Sequence, residues 1–322
     1  MRVYQISEHN VNPSLVDIAM PIPAEDEILI RIMACGLNFA DLLMIKGKYQ
    51  DLPALPTTLG LELAGIVEAT GDCVKNLHVG QRVAVYSGHG GLAEYGVFPA
   101  DRCLPIPDDM PFEIAAGFQI AYGSSHLALD RCARLQPGET LFVSGAAGGV
   151  GLTAVEIGKH MGARVIASAR GEEKLQVAKA AGADVLIDAT DGTELRTQLK
   201  DLGGVDVVYD TIGGDTYTGA FRACNPEGRV LLIGFAGGDL PEIKPNHMLV
   251  KNISVIGFYW GGYLKFNPKA LTDSLATLLE WYSAGHLKPH VSHILPLDRA
   301  DEGLELLRSR KATGKVVITP HA

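Results

Sequence analysis

Cysteine is scarce in this chain, long apolar runs are missing, and basic residues are fewer than acidic ones. The five cysteines lie at positions 35, 73, 103, 132 and 224, and no two of them form a Cys-x-x-Cys pair. This spacing argues against a disulfide framework or a structural zinc site, and it favours reduced thiols in a cytoplasmic protein. No apolar run reaches the ~18 residues of a membrane helix, and the segment MRVYQISEHN lacks an apolar signal core.

The charge balance is acidic. With 37 acidic and 28 basic residues the chain carries a net charge of −9, which argues against a nucleic-acid footprint. The 322 residues are 47% hydrophobic and 20% charged, and 37 of them are glycine. These values are typical of a globular α/β protein with many tight turns, long enough for two domains.

A glycine-rich turn is the strongest local signal. The apolar run Thr140–Ser144 is of strand length, and residues 152–161 have the pattern of a helix packed on a sheet. The turn between them carries A-A-G-G-V-G, a dinucleotide-binding fingerprint with Ala146 at its first glycine. An ordinary glycine-rich turn in a parallel sheet is the alternative interpretation.

Each residue type in this turn has a physical reason. Gly148 has no side chain, so a pyrophosphate can approach its backbone, and Gly151 lets the helix pack closely on the strand. Free N–H groups at a helix start bind phosphates, which the helix dipole also favours. The predicted phosphate-binding residues are Ala147, Gly148, Gly149, Val150 and Gly151.

The end of the second predicted strand, residues 163–167, indicates which cofactor binds. An NAD site has a carboxylate about 20 residues beyond the glycines, where it bonds the ribose hydroxyls. Here Ser168, Arg170 and Lys174 stand instead, and their cations would attract a 2′-phosphate. The sequence therefore predicts NADPH in preference to NADH, unless Arg170 and Lys174 are ordinary solvated charges.

The pattern of elements changes along the chain. Residues 1–118 contain short apolar or alternating segments separated by Gly, Pro and Asp turns, which predicts a β-rich domain. Residues 119–261 alternate six strands with helices, which predicts a doubly wound parallel sheet. Residues 262–322 are predicted to return to the first domain, with helices at 268–285 and 300–308 and strands at 294–296 and 315–318.

Several motifs in this order resemble one family over essentially the whole chain. They are residues 34–41 (ACGLNFAD), 59–65 (LGLELAG), 91–95 (GLAEY), 146–151 with 173–175 (EKL), 206–210 (DVVYD) and 313–316 (TGKV). The chain resembles the zinc-free quinone oxidoreductases of the medium-chain dehydrogenase/reductase superfamily, and residues 35–41 also resemble the vesicle amine transport protein branch. The resemblance implies a GroES-like β domain wrapped around an inserted Rossmann domain, and a homodimer in which the last Rossmann strands pair.

The resemblance also indicates whether the chain has ligands for a catalytic metal ion. Zinc-dependent relatives hold their catalytic zinc with Cys, His and Cys, and the matching positions here are Asn38, Leu61 and Ala116. Such residues make a poor zinc site, so we predict no metal. Without a Lewis acid, the expected substrate is already electrophilic, as quinones and α,β-unsaturated carbonyls are.

Three catalytic candidates follow from the family motifs. The resemblance places Asn38 near the nicotinamide, where its amide could donate to a ribose hydroxyl or a substrate carbonyl. Asp41 belongs to the same motif, and capping of a helix start is the alternative role. Tyr49 resembles the proton donor of zinc-free enoyl-thioester reductases, with loop packing as the alternative. Leu43 stands where bacterial quinone reductases have a second tyrosine.

Further residues are predicted at the carboxyl ends of later strands, where such sheets bind ligands. Thr211, Gly234 and Phe235 are the predicted cofactor-lining residues there. The aromatic segment 258–262 (FYWGG) is predicted either to wall an apolar pocket or to form a subunit interface. The sequence favours an NADPH-dependent quinone reductase, with enone or enoyl-thioester reduction, or a structural NADPH-binding protein, as alternatives.

Overall fold

The computed structural model describes residues 1–190 and 194–321, which form two compact units. The first unit combines Met1–Ile120 with Pro289–Ala322, and the second is the continuous stretch Ala121–Lys288. The sequence placed the second boundary earlier, at residue 262. The structure groups the segment up to Lys288 with the second unit because the helix Pro268–Ser283 packs there, with Ser274 Oγ 2.8 Å from His126 Nδ1.

The described residues form sixteen strands. In chain order they are β1 (Arg2–Ile6), β2 (Ser14–Asp17), β3 (Glu27–Gly36), β4 (Thr57–Thr58), β5 (Glu62–Thr70), β6 (Arg82–Tyr86), β7 (Tyr95–Pro99), β8 (Cys103–Pro105), β9 (Thr140–Ser144), β10 (Arg164–Ala169), β11 (Val185–Asp188), β12 (Val205–Asp210), β13 (Cys224–Leu232), β14 (Ser254–Gly257), β15 (Val291–Pro296) and β16 (Lys315–Thr319).

The described residues also form eleven α-helices. They are α1 (Phe39–Ile45), α2 (Phe112–Ala115), α3 (Phe118–His126), α4 (Gly149–His160), α5 (Glu172–Ala180), α6 (Leu195–Asp201), α7 (Gly214–Ala223), α8 (Pro245–Lys251), α9 (Tyr263–Phe266), α10 (Pro268–Ser283) and α11 (Ala300–Arg308).

The first unit is β-rich, as predicted. Its larger sheet runs β15-β16-β3-β5-β6-β8, with β7 also pairing β3, and a small sheet runs β2-β1-β4. Strand β3 alternates between partly exposed residues and the fully buried Ile28, Ile30 and Ile32, which explains why one of its faces forms the core. The late strand β16 pairs with the end of β3, at Cys35 and Gly36.

The second unit is a parallel sheet in the order β11-β10-β9-β12-β13-β14. This is the doubly wound order, in which strands are added toward one side of β9 as far as β11 and then toward the other side from β12, and ligands bind at that switch point between β9 and β12. In-register pairing of Ser144 with Ser168 and of Asp210 with Leu232 brings the carboxyl ends of four strands to one edge. The strand predicted at 140–144 is confirmed with both of its ends, because its apolar run stops at the turn glycine.

Candidate functional site

The turn between β9 and α4 admits only glycine at two positions. Gly145 has φ +60°, and a Cβ added to it would lie 2.6 Å from Thr211 Oγ1. A Cβ at Gly151 would lie 2.3 Å from the carbonyl oxygen of Gly145, so the helix could not pack there with any other residue. At Gly148 the nearest atom would be 3.4 Å away, which leaves that backbone open to a ligand.

The start of α4 fits an anion. The twelve-residue helix begins at Gly149, and the described residues supply no acceptor for the N–H groups of Gly149 and Val150. Free N–H groups at the positive end of a helix bind phosphates. Of the five residues predicted from the fingerprint, Ala147 and Gly148 end the turn and Gly149, Val150 and Gly151 begin α4, and their backbone suits a dinucleotide pyrophosphate.

Buried hydroxyls that the sequence did not reveal hold the first turn of α4. Ser125 Oγ donates to the carbonyl oxygen of Val150 at 3.0 Å and lies 2.8 Å from Thr153 Oγ1 and 3.0 Å from the Tyr209 hydroxyl. Ser125 and Tyr209 are fully buried, and burial raises the pKa of the Tyr209 phenol. Three hydroxyls thus connect α3, α4 and β12 beside the open N–H groups.

A second network joins the ends of β9 and β12. Ser144 Oγ donates to Asp210 Oδ1 at 2.6 Å, and the Thr211 hydroxyl donates to the Ser144 carbonyl at 2.8 Å. Burial raises the pKa of Asp210, although the Ser144 hydroxyl and two backbone N–H groups bond to its carboxyl. The predicted Gly234 lies at this edge and donates to the Asp210 carbonyl oxygen at 3.3 Å, and the next residue, Phe235, is 40% exposed.

The predicted basic residues follow β10. Ser168 is buried and its carbonyl oxygen accepts from Ala146 N–H at 2.9 Å, whereas Arg170 is exposed just beyond the strand and Lys174 is half-buried in α5.

A neighbouring carboxylate, Asp188, was not predicted. Its Oδ1 accepts from the N–H of Gly171 at 3.1 Å, next to Arg170. Hydrogen bonds from the Thr190 hydroxyl, and from the N–H groups of Gly171 and Thr190, hold the pKa of Asp188 below its usual range. A carboxylate therefore does stand beside the basic pair, on the following strand.

The first unit contains a buried ion pair. Lys315 Nζ lies 2.8 Å from Glu62 Oε1, and it also donates to Asn38 Oδ1 at 2.9 Å and to the Leu37 carbonyl at 2.8 Å. The side chains are only 9% and 1% exposed. The three hydrogens of the ammonium group thus have three protein acceptors, as a buried charge requires.

Asn38 is fully engaged in this cluster. Its Nδ2 donates to the Gly36 carbonyl at 3.1 Å and to Glu62 Oε1 at 3.0 Å, while its Oδ1 accepts from Lys315. We expected this amide to donate to a ribose hydroxyl or a substrate carbonyl. In this arrangement both amide hydrogens bond to protein atoms, so Asn38 has no donor left for a ligand.

Asp41 caps helix α1. Its Oδ2 accepts from Asn38 N–H at 2.9 Å and its Oδ1 from Gly60 N–H at 3.0 Å, so the geometry is that of the helix cap. The residue is fully buried, and burial raises its pKa to about 6.

Tyr49 lies half-buried in the loop after α1.

The three positions equated with zinc ligands lie in segments that the structure brings together. Ile120 N–H donates to Glu62 Oε2 at 3.0 Å, which joins the segment after Ala116 to the residue after Leu61. Leu61 and Ala116 are buried and offer no ligand atom on their side chains. Within residues 1–190 and 194–321, no group of three or more His, Cys, Asp or Glu side chains could hold a metal ion, so the donor set does not fit zinc.

Comparison with known proteins agrees with this geometry. Residues 24–108 match the alcohol dehydrogenase GroES-like domain, and residues 149–281 match the family described as zinc-binding dehydrogenase. The quinone oxidoreductase of Sus scrofa is 31% identical over 322 residues, which cover 99% of this chain and 96% of that protein. The chain belongs to the quinone oxidoreductase family.

Other members of the quinone oxidoreductase family are similarly close. The quinone oxidoreductase-like protein 2 of Bos taurus is 35% identical over 95% of this chain and 89% of its own length. The crystal structure of the Thermus thermophilus quinone oxidoreductase, described with its NADPH complex, has a TM-score of 0.89 at 32% identity, covering 99% of this chain and all of that one. Family membership confirms the GroES-like and Rossmann folds and the oxidoreductase class. None of the described helices has the length and apolar character needed to cross a membrane.

Proposed function

We propose that this protein is an NADPH-dependent reductase that delivers hydride to quinones. The observation that carries the proposal is the open backbone at Gly148, at the start of α4, with the cation of Arg170 just beyond β10. The Thermus thermophilus relative, a quinone oxidoreductase described in complex with NADPH, supports the same assignment.

The geometry of the second unit supports the following binding roles. The backbone of residues 147–151 holds the pyrophosphate, chiefly through the open N–H groups of Gly149 and Val150, and Arg170 with Lys174 holds the 2′-phosphate. Thr211, Gly234 and Phe235 line the nicotinamide half at the ends of β12 and β13. When bound, the reduced nicotinamide supplies a hydride, which is one proton with two electrons.

The chemistry of the acceptor follows from the donor set of the first unit. Because Leu61 and Ala116 cannot ligate a metal, the acceptor must delocalise negative charge by itself. A quinone does so: it gains the hydride, then one proton from solvent, and becomes a hydroquinone while NADPH becomes NADP⁺. In this proposal Asn38 and Asp41 position α1 and the backbone near it, and neither donates to substrate.

A second candidate, enone or enoyl-thioester reduction, is favoured by the half-buried phenol of Tyr49. Conjugate addition of hydride leaves a carbanion that needs a proton, and a phenol in a loop can supply one. A third possibility, a structural NADPH-binding role without turnover, is tested by the same experiment.

We also propose a cytoplasmic homodimer. Strand β14 ends the six-stranded sheet, and large apolar side chains are exposed in the same unit. They include Leu240 at 74%, Leu249 at 77% and Val250 at 73% exposure. An open strand edge and exposed apolar side chains are both suited to pairing with a second copy.

The test is NADPH oxidation across one acceptor panel: 1,4-naphthoquinone, a simple enone and an enoyl-CoA thioester. Quinone turnover that Tyr49→Phe leaves nearly unchanged is the expected result, and it would support hydride transfer by positioning. Enoyl turnover that collapses in Tyr49→Phe would assign the second function instead. NADPH binding without any turnover would support the structural role.

A further inference from the structure

Arg170 stands between two residues that are both held by the end of β11. On its amino side, the carbonyl oxygen of Ala169 accepts from the N–H of Ala189 at 2.9 Å. On its carboxyl side, the N–H of Gly171 donates to Asp188 Oδ1 at 3.1 Å. The backbone of Arg170 is therefore fixed by one contact between backbones and by one side chain, that of Asp188.

Gly171 is a position where such a restraint matters. Its φ is +81°, and an added Cβ would meet no atom within 4 Å, so packing does not hold this residue. Glycine samples many conformations when it is not restrained. Gly171 also precedes α5, where its carbonyl oxygen accepts from the N–H of Leu175 at 3.2 Å. The bond to Asp188 thus restrains both Arg170 and the start of the helix that carries Lys174.

The carboxyl group of Asp188 is itself held in place. Its Oδ1 also accepts from the N–H of Thr190 at 2.9 Å and from the Thr190 hydroxyl at 2.7 Å. These two bonds come from the residue that follows β11 by two positions, so they form a local turn around the carboxyl group. The side chain is therefore kept in the orientation that reaches Gly171.

Asp188 does not neutralise Arg170. Within residues 1–190 and 194–321, no side chain forms a hydrogen bond or ion pair with the exposed guanidinium of Arg170, and the three bonds of Asp188 go to Gly171 and Thr190. The guanidinium is available to a phosphate. By charge alone, a neighbouring carboxylate would oppose a phosphate, so a positioning effect and a charge effect of Asp188 have opposite signs.

We propose that Asp188 is a positioning residue for the 2′-phosphate of NADPH: it holds Arg170 through Gly171 and so favours NADPH over NADH. This inference rests on the proposed function and deepens it. Orientation matters because a guanidinium binds phosphate best through two parallel N–H bonds. An arginine whose backbone is already in place also loses less conformational freedom when the ligand binds.

The test measures the dissociation constants for NADPH and NADH in Asp188→Ala and Asp188→Asn. In Asp188→Ala we expect the NADPH constant to rise about fivefold and the NADH constant to stay within about twofold, because the bond that restrains Gly171 is lost. Asp188→Asn keeps an oxygen acceptor and should bind NADPH within about twofold of the unaltered protein. Tighter NADPH binding in Asp188→Ala would mean that the carboxylate only repels the phosphate, and would overturn the proposal. Asp188→Asn binding as poorly as Asp188→Ala would also overturn it.

Asp184→Ala is the matched control. Asp184 immediately precedes β11, and its Oδ2 accepts from the N–H of Val165 in β10 at 2.8 Å, so the control removes a similar bond between a carboxylate and the backbone of the neighbouring strand. The ratio of the NADPH and NADH constants should stay unchanged in Asp184→Ala, even if its melting temperature falls as far as that of Asp188→Ala. An equal change of the ratio in both variants would assign the effect to the sheet as a whole and overturn the proposal.

A double-variant cycle shows whether Asp188 acts through Arg170. In an Arg170→Ala background, adding Asp188→Ala should cause no further loss of NADPH affinity. A further loss of about fivefold would contradict the proposal, since the effect would not depend on the arginine. If the unaltered protein prefers NADPH and Asp188→Ala keeps that preference, the Asp188 role is overturned and the proposed function stands. An unaltered protein without preference for NADPH would overturn both the Asp188 role and the proposed cofactor.

Discussion

Lys315 Nζ and Glu62 Oε1 lie 2.8 Å apart in the core of the first unit, where the two side chains are 9% and 1% exposed. The remaining hydrogens of Lys315 and the second oxygen of Glu62 also have partners, so this buried pair is completely satisfied. Such a pair contributes little net stability, but leaving one member alone is costly.

Lys315→Met should therefore lower the free energy of unfolding by about 3–5 kcal/mol, since it leaves Glu62 buried and uncompensated. Urea unfolding measures the change, and the double variant Lys315→Met/Glu62→Leu should recover most of the loss. Lys269→Met, which breaks an exposed ion pair with Asp273, is the control and should cost less than about 1 kcal/mol. A Lys315→Met loss as small as the control's would mean that the pair is not buried as described.

Asp41 should give the protein a pH-dependent stability. Burial raises its pKa from 3.8 to about 6, so the folded chain holds this proton more tightly than the unfolded chain. The stabilisation that the protonated Asp41 carboxyl gives to the folded state is fully present below about pH 4. It is lost as the pH rises through 6, and the loss amounts to up to about 3 kcal/mol.

In Asp41→Asn this dependence of the unfolding free energy on pH should disappear. The unfolding free energy should also fall by about 1–3 kcal/mol, because the amide nitrogen cannot accept a hydrogen bond from a backbone N–H. Unfolding curves at several pH values between 4 and 7 measure both effects, with Asp273→Asn as an exposed control. An unchanged slope in Asp41→Asn would assign the pH dependence to another group.

Sequence patterns predicted the strand Thr140–Ser144 and the glycine turn because both depend on neighbouring residues. The cluster around Lys315 depends on contacts 253 residues apart, and in sequence Glu62 is an ordinary charged residue of a family motif. Asn38 was predicted to donate to a ribose hydroxyl or a substrate carbonyl, and its bonds to Gly36, Glu62 and Lys315 could not be predicted from the sequence.

Arg170→Ala should weaken NADPH binding about tenfold and leave NADH binding nearly unchanged, because a charge-assisted bond to the 2′-phosphate is lost. Fluorescence titration with each cofactor measures the dissociation constants for NADPH and NADH. Arg134→Ala, also an exposed arginine of the second unit, is the control. Equal weakening of NADH and NADPH would contradict recognition of the 2′-phosphate by Arg170.

Tyr209→Phe should raise the NADPH dissociation constant about fivefold, since its hydroxyl lies 3.0 Å from the Ser125 hydroxyl that holds the first turn of α4. The matched control is Tyr217→Phe, which removes a buried hydroxyl that has no partner among the described residues. The control should bind NADPH normally. If both variants bind alike, the hydroxyl network does not position the phosphate turn.

Leu249→Asp should convert the proposed dimer to a monomer, because it places a charge next to the exposed Val250 in α8, the helix that precedes β14 in the chain. Sedimentation equilibrium measures the mass. Ile22→Asp alters an 88% exposed side chain in the other unit and should leave the mass unchanged. A monomeric parent protein, or a variant with the mass of the parent dimer, would refute this interface.

The pairing of β16 with β3 also bears on the order in which the chain acquires its structure during translation. Glu62 leaves the ribosome long before Lys315, so the nascent first unit carries a carboxylate without its cation and a sheet without its last strands. The continuous second unit, Ala121–Lys288, has all its strands by then. Ribosome-bound chains should therefore fold their second unit first. A premature stop before residue 315 should leave the amino-terminal part of the first unit unfolded and a target for quality control.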